Sequence, residues 1–175
     1  MGVKTNIVLI GPMGSGKSAV GRQLARALQM KFVDSDTEIE KRTGVDIPYI
    51  FEKEGEAGFR ARERDVIADL VTREHIVLAT GGGAVLDPDN RERLSAVGTI
   101  VYLRTTIAQQ LERTRTSRNR PLLADGDPES VLEELMETRG PIYEGLADLV
   151  IDTGGRKVTA VVNEICAKLA AALKN

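Results

Sequence analysis

The most constraining stretch of this chain of 175 residues is Gly11-Pro12-Met13-Gly14-Ser15-Gly16-Lys17-Ser18, which fits the pattern G-x-x-x-x-G-K-[ST]. An apolar run, Ile7 to Ile10, leads into it and an amphipathic stretch follows. That order predicts a buried strand, a glycine-rich turn and a helix. Glycines reach positive φ and let backbone N–H groups turn inward around phosphate oxygens. The helix that follows aims its positive N-terminus at the same anion. Gly14, Ser15, Gly16, Lys17, Ser18 and Ala19 are therefore the candidate phosphate-binding residues of a nucleotide site. Lys17 has the reach for the β- and γ-phosphates, and the Ser18 hydroxyl can ligate Mg²⁺. The bland alternative is a glycine-rich turn with an incidental Lys-Ser. The strand before and the helix after count against it.

Short apolar runs alternate with longer amphipathic stretches along the rest of the chain. Strands are expected over 6–11, 31–34, 76–80, 99–103 and 149–151. Helices are expected over 16–30, 37–43, 47–54, 58–72, 88–95, from 107, over 129–139 and over 157–173, with a loop at 117–128. Alternation of this kind implies a parallel sheet covered by helices on both faces, an α/β fold in one domain spanning residues 1–175. Ligands of such sheets bind beyond the carboxyl ends of the strands. The polar and glycine-rich signals sit at those ends: residues 11–18 after the first strand, Asp34 and Asp36 after the second, and Gly81-Gly82-Gly83 after the third.

Charge and composition narrow the function. A formal charge of −2 gives no basic field for nucleic acid or membrane. Aromatic residues make up 3% and Trp is missing, which argues against a base-stacking platform. The single cysteine, Cys166, excludes an internal disulfide and a cysteine-cluster metal site, and its apolar neighbours point to a packed helix face. The N-terminal apolar run stops at Gly11-Pro12, too short for a signal segment or a membrane span, so a cytoplasmic protein is expected. His75 lies at a helix-to-strand junction away from every motif.

Arginine supplies 16 of the 24 basic residues, clustered at Arg60, Arg62 and Arg64 and again at Arg113, Arg115, Arg118 and Arg120. Its planar fork suits carboxylates and phosphates better than the point charge of lysine. Arg60 and Glu63 share a helix face and can pair, which taken alone reads as a surface ion pair. Asp34-Ser35-Asp36 closes the second strand, with Asp34 in reach of a Mg²⁺ shell and Asp36 one residue further into the crevice. The pair also suits a helix N-cap, and the two roles are compatible. Three consecutive glycines at 81–83 cost ordering entropy, tolerated where a ligand must approach backbone N–H groups closely.

In this order the loop at 11–18, Asp34-Ser35-Asp36, Gly55-Glu56 with Phe59-Arg60 and Glu63, Ala79-Thr80-Gly81-Gly82-Gly83, Arg120-Pro121-Leu122-Leu123 and Arg139, Pro141 and Tyr143 resemble the bacterial shikimate kinases over essentially the whole chain. The resemblance implies a P-loop kinase domain with a five-stranded parallel sheet, a substrate-binding segment at about 35–62 and a mobile lid at about 114–127. It implies transfer of a phosphoryl group from ATP, with Mg²⁺, to a ring hydroxyl of shikimate by a monomer. The shikimate carboxylate would fall to Arg60 and Arg139, its hydroxyls to Asp36 and Gly82, and Mg²⁺ to Asp34 beside Ser18. Arg120 would reach the transferring phosphate from the lid, and Arg113 and Arg156 would lie near adenine. Asp36 is then the candidate base, with Lys17 and Arg120 compensating charge. The rivals are a gluconate-type or nucleotide kinase, which would not need two arginines for a carboxylate or would need a base-reading pocket. An ATP-switched binding protein is a third reading, for which an acceptor base such as Asp36 has no use.

Overall fold

A computed structural model describes residues 4–115, 123 and 126–174 of the chain. Five strands, β1 (Asn6–Ile10), β2 (Lys31–Asp34), β3 (Ile76–Ala79), β4 (Gly98–Arg104) and β5 (Leu149–Asp152), form one sheet. Its order is β2-β3-β1-β4-β5 and every neighbouring pair is parallel. The helices are α1 (Lys17–Leu28), α2 (Ser35–Thr43), α3 (Ile47–Leu70), α4 (Pro88–Val97), α5 (Ile107–Thr114), α6 (Pro128–Leu146) and α7 (Val158–Ala172). A 3-10 turn, Ala84–Leu86, follows β3.

The continuous apolar run of β1 reflects burial on both faces. Val8 and Ile10 point into one cluster with Ile39, Phe59, Ile67, Leu94 and Tyr143 of α2, α3, α4 and α6. Ile7 and Leu9 point into the other with Val20 and Leu24 of α1 and Val161 and Ile165 of α7. The period-two alternation of a strand thus serves two cores at once. Cys166 packs at the edge of the second core, as its apolar neighbours suggest. At the amino end of the sheet, Asn6 donates to the Arg73 carbonyl at 2.7 Å and accepts from the Ile76 N–H at 3.1 Å. That bond pair fixes the turn between α3 and β3. His75 sits in this turn with φ 56°, far from the carboxyl ends of the strands. Among the described residues no helix is long and apolar enough to cross a membrane.

The helices between β2 and β3 keep the expected break, whereas the helix before β5 departs from the sequence expectation. The helices expected over 47–54 and 58–72 are both present as the two halves of α3, which meet at a kink where Gly55 leaves helical geometry at φ 72°, ψ −178°. A Cβ on Gly58 would lie 2.4 Å from the Glu54 Cβ, so a side-chain-free residue lets the two halves fold tightly together. The Arg62 fork then braces the elbow through both Glu54 oxygens, each at 2.7 Å. The helix expected to stop near Arg139 instead runs on to Leu146 with Pro141 inside it. Leu132, Arg139 and Tyr143 form its buried stripe. Packing along that stripe outweighs the one N–H that proline removes. The extension puts Arg139 and Tyr143 one turn apart on the same face.

Candidate active site

The crevice beyond the carboxyl ends of β1, β2 and β3 encloses about 300 Å³. Its floor is the turn between β1 and α1. Gly14 and Gly16 adopt φ 77° and 90°, which a side chain would strain. A Cβ on Gly14 would also come within 3.0 Å of the Gln110 Cα on α5. Helix α1 has no side-chain cap, so its first N–H groups are left for an anion. Outside supports hold the turn. Arg113 of α5 donates to the Gly14 carbonyl at 2.9 Å, and the Thr153 hydroxyl after β5 donates to the Ser15 carbonyl at 3.1 Å. The Lys17 ammonium lies 2.6 Å from the Gly11 carbonyl and 2.9 Å from that of Pro12. Gly14, Gly16, Lys17, Ser18, Ala19 and Arg113 all line the crevice. Ser15 is buried beneath it.

Asp34 caps a helix, as the sequence allows, and also meets Ser18. Its Oδ1 caps α2 by accepting from the N–H groups of Asp36 at 2.9 Å and Thr37 at 3.2 Å. Its Oδ2 accepts from the Ser18 hydroxyl at 2.8 Å. One hydroxyl and one carboxylate oxygen side by side are the hard oxygen donors that Mg²⁺ takes from a protein when it keeps most of its waters. The residues present therefore fit that ion.

The wall opposite the phosphate turn carries Asp36, Arg60, Glu63, residues 81–83 and Arg139, with Ile47, Phe51 and Phe59 as its apolar part. Arg60 Nη1 donates to Glu63 Oε1 at 2.9 Å, and Nη2 to Glu56 at 3.3 Å. The expected surface ion pair is instead half interior: the Glu63 side chain is 1% exposed and that of Arg60 22%, and Arg139 beside them is buried. Burial pushes the Glu63 carboxyl above its ordinary value, against the pull of the Arg60 and Arg139 charges. Glu63 Oε2 has no hydrogen-bond partner among the described residues.

The glycine triplet has a side-chain explanation. A Cβ on Gly83 would stand 2.3 Å from Arg60 Nη2, and one on Gly81 would stand 2.8 Å from both Asp36 Oδ1 and Glu63 Oε2. A Cβ on Gly82 would stand 3.4 Å from Arg139 Nη1, an ordinary contact, so the close approach is made at Gly81 and Gly83. None of the three adopts positive φ. The triplet thus lets three charged side chains close on one backbone segment, a reason the sequence reading did not contain. The Ser35 hydroxyl accepts from the Gly81 N–H at 3.0 Å and ties this segment to α2.

The structure gathers Lys17, Ser18, Asp34, Asp36, Arg60, Gly82, Arg113 and Arg139 into one crevice. Arg156 is not among its lining residues: its Nη1 donates to the Asp152 carbonyl at 2.8 Å and pairs with Glu164. Arg120 and most of the expected lid lie outside the described residues. Sequence reasoning gave no role to Tyr143, whose hydroxyl donates to the Gly82 carbonyl at 2.5 Å. Its i, i+4 spacing from Arg139 is the available signal, hidden because Gly140-Pro141 reads as a helix end.

The family model for shikimate kinase matches residues 13–170. The chain belongs to the shikimate kinase family. It is 59% identical to a shikimate kinase of Methylococcus capsulatus, over 93% of this chain and 90% of that one. It is 56% identical to a shikimate kinase of Hahella chejuensis, over 96% of this chain and 88% of that one. Among solved structures, a shikimate kinase from Acinetobacter baumannii in complex with shikimate superposes with a TM-score of 0.94 at 46% identity, covering 96% of this chain and 94% of that one. Family membership, the five-stranded parallel α/β fold and the phosphate turn agree with one another.

Proposed function

We propose that the chain transfers the γ-phosphoryl group of ATP to a ring hydroxyl of shikimate, giving shikimate 3-phosphate and ADP. The observation that carries this reading is the pairing of a nucleotide-phosphate turn with two arginines, Arg60 and Arg139, across one crevice of about 300 Å³. The size suits a small polar acceptor, and two forks suit its carboxylate. The match with a shikimate-bound relative supports the same acceptor.

In this reading the N–H groups of residues 14–19 and the amino end of α1 hold the phosphates, and Arg113 flanks the nucleotide over Gly14. Ser18 and Asp34 would hold Mg²⁺, which supplies charge compensation and orientation to the β- and γ-phosphates when bound. Asp36 orients the attacking hydroxyl and accepts its proton, and Gly82 offers backbone polar groups to the acceptor. Lys17 exchanges its loop carbonyls for phosphate oxygens as charge redistributes, and Arg120, from the expected lid at 114–127, would compensate charge on the transferring phosphate. Phosphoryl transfer through a loose transition state asks a protein for positioning and charge more than for covalent help. Segment 35–62 forms much of the acceptor wall. Both walls come from one chain, which supports a monomer, and dependence on ATP supports a cytoplasmic setting.

A coupled ADP-release assay against shikimate, quinate, gluconate and AMP tests the reading. Turnover should be highest with shikimate and require Mg²⁺. Preference for gluconate or AMP would move the chain's acceptor elsewhere, and ADP release unaffected by any acceptor would favour a nucleotide switch.

A further inference from the structure

We propose that Tyr143 is a positioning residue for the acceptor: its buried hydroxyl pins the Gly82 carbonyl and so aims the backbone that the acceptor hydroxyl meets. This rests on the reading of residues 81–83 as part of the acceptor wall. Tyr143 is fully buried and does not line the crevice, so it acts through the loop and touches no ligand. Its ring stacks on Tyr102 of β4, with centroids 5.0 Å apart and an interplanar angle of 28°. Its hydroxyl donates to the Gly82 carbonyl at 2.5 Å.

The consequence follows from peptide planarity. In a trans peptide the C=O and the next N–H point in opposite directions, so holding the Gly82 carbonyl against α6 turns the Gly83 N–H away from α6. No acceptor among the described residues takes the N–H of Gly82 or of Gly83. Residues on both sides are fixed: the Gly81 N–H by Ser35 and the Gly83 carbonyl by the Leu86 N–H at 3.1 Å. A three-glycine segment is the most pliable backbone available, and it stays in one orientation only if something outside it fixes the central carbonyl. Burial beside the sheet holds the phenol proton on, pushing Tyr143 up to about 12 although the Arg139 charge pulls the other way. The hydroxyl therefore stays protonated, and a donor, near neutral pH. Arg139, one turn earlier on α6, lies against the same glycine, so one helix face carries both an acceptor contact and the strut for its neighbour.

The test is Tyr143→Phe, which keeps the ring and its stack on Tyr102 and removes one oxygen. Tyr102→Phe is the control, a buried phenol lost from the same stack without a bond to Gly82. Tyr143→Phe should raise KM for shikimate roughly three- to tenfold, as loss of one hydrogen bond implies. KM for ATP should stay within about twofold, and the thermal midpoint within several degrees. The penalty should persist with an acceptor analogue that lacks the carboxylate. Tyr102→Phe should leave both Michaelis constants unchanged. An unchanged shikimate KM would make Tyr143 a packing residue only and overturn the proposal, as would an equal rise for both substrates. A penalty that vanishes with the carboxylate-free analogue would place the effect on Arg139 and also overturn it. If the wild type turned over no shikimate, the functional reading would fall by itself. The same ratio, measured on whichever acceptor of the panel is phosphorylated, then decides the role of Tyr143.

Discussion

The phosphate side of the crevice comes from one contiguous stretch, residues 11–19, whereas the acceptor side gathers Asp36, Arg60, Glu63, residues 81–83 and Arg139 from four separate segments. The first is built mainly of backbone: positive-φ glycines, an uncapped helix start and carbonyls gripped from outside by Arg113 and Thr153. The second is built of charged side chains sunk into the core, with glycines making room for them. Backbone N–H groups bind any phosphate chain, so that side recognises a group common to all nucleotides. In the proposed function, side-chain forks and carboxylates recognise one acceptor, and their placement depends on burial and on elements far apart in sequence. The contrast predicts that one charge dominates on the phosphate side, while losses on the acceptor side divide among several groups.

The largest effect should come from Lys17→Ala. The turn keeps its glycines and its outside supports, so the thermal unfolding transition should be nearly normal. Turnover should fall by at least about a hundredfold, as removal of a preorganised charge contact implies. Near-normal turnover would show that backbone alone does the work on that side.

Next come Arg60→Lys and Arg139→Lys. Each keeps a positive charge but loses the fork, and a charge-assisted bond contributes roughly 1.5–3 kcal/mol. KM for shikimate should rise about ten- to hundredfold with KM for ATP little changed. With a carboxylate-free acceptor the extra loss should disappear. Equal losses on both acceptors would show that these arginines do not read the carboxylate.

This division also explains what the sequence made legible. A contiguous backbone motif carries its spacing in the chain, so the turn, its preceding strand and the helix after it were read at nearly their observed bounds. The central strands β1, β3 and β4 were likewise visible, because burial on both faces leaves unbroken apolar runs such as Ile7 to Ile10, while the half-buried edge strands β2 and β5 show as shorter runs between helices. The resemblance named Arg60 and Arg139, but spacing alone left the Arg60–Glu63 pair on the surface. Nothing local says that Glu63 is buried; that depends on the glycine segment 81–83 closing over it. The length of α6 was missed for a similar reason. Gly140-Pro141 is a strong local stop, and only packing of Tyr143 against Tyr102 and Gly82 carries the helix through it.

Glu63 offers a smaller effect with a definite sign. Its carboxyl is raised above the ordinary value of 4.5, chiefly by burial, so the folded protein holds a proton that the unfolded chain has already released. Fewer protons on the unfolded state mean that stability falls as pH rises. The stabilising contribution is complete below about 4.5 and is lost as pH climbs through the higher folded value. Urea unfolding of the wild type and Glu63→Gln across pH 4 to 8 should show the wild type losing ground to the variant as pH increases. A difference independent of pH would mean that Arg60 and Arg139 fully offset the burial.

The smallest effect should belong to Arg156, and it sharpens the comparison most on the nucleotide side. Arg113 reaches across to the Gly14 carbonyl and so is part of the turn itself. The Arg156 guanidinium is committed to its own corner, with the Asp152 carbonyl at 2.8 Å, the Ala160 carbonyl at 3.4 Å and the Glu164 carboxylate. Any contact it makes with the adenine end must use the faces of the fork or the donors that these three bonds leave over. An exposed contact of that kind contributes well under about 1 kcal/mol. Arg156→Ala should therefore raise KM for ATP only about two- to threefold, with turnover and shikimate KM unchanged, whereas Arg113→Ala should cost several times more. Glu164→Gln weakens the anchor without removing the fork, so it should reproduce part of the Arg156→Ala loss if the anchored position is the useful one. Equal losses for Arg113→Ala and Arg156→Ala would break the contrast, because the nucleotide side would then also depend on side chains brought from a distant part of the chain. No change at all in Arg156→Ala would draw it more sharply, leaving the backbone turn, Lys17 and Arg113 as the whole of the described nucleotide side.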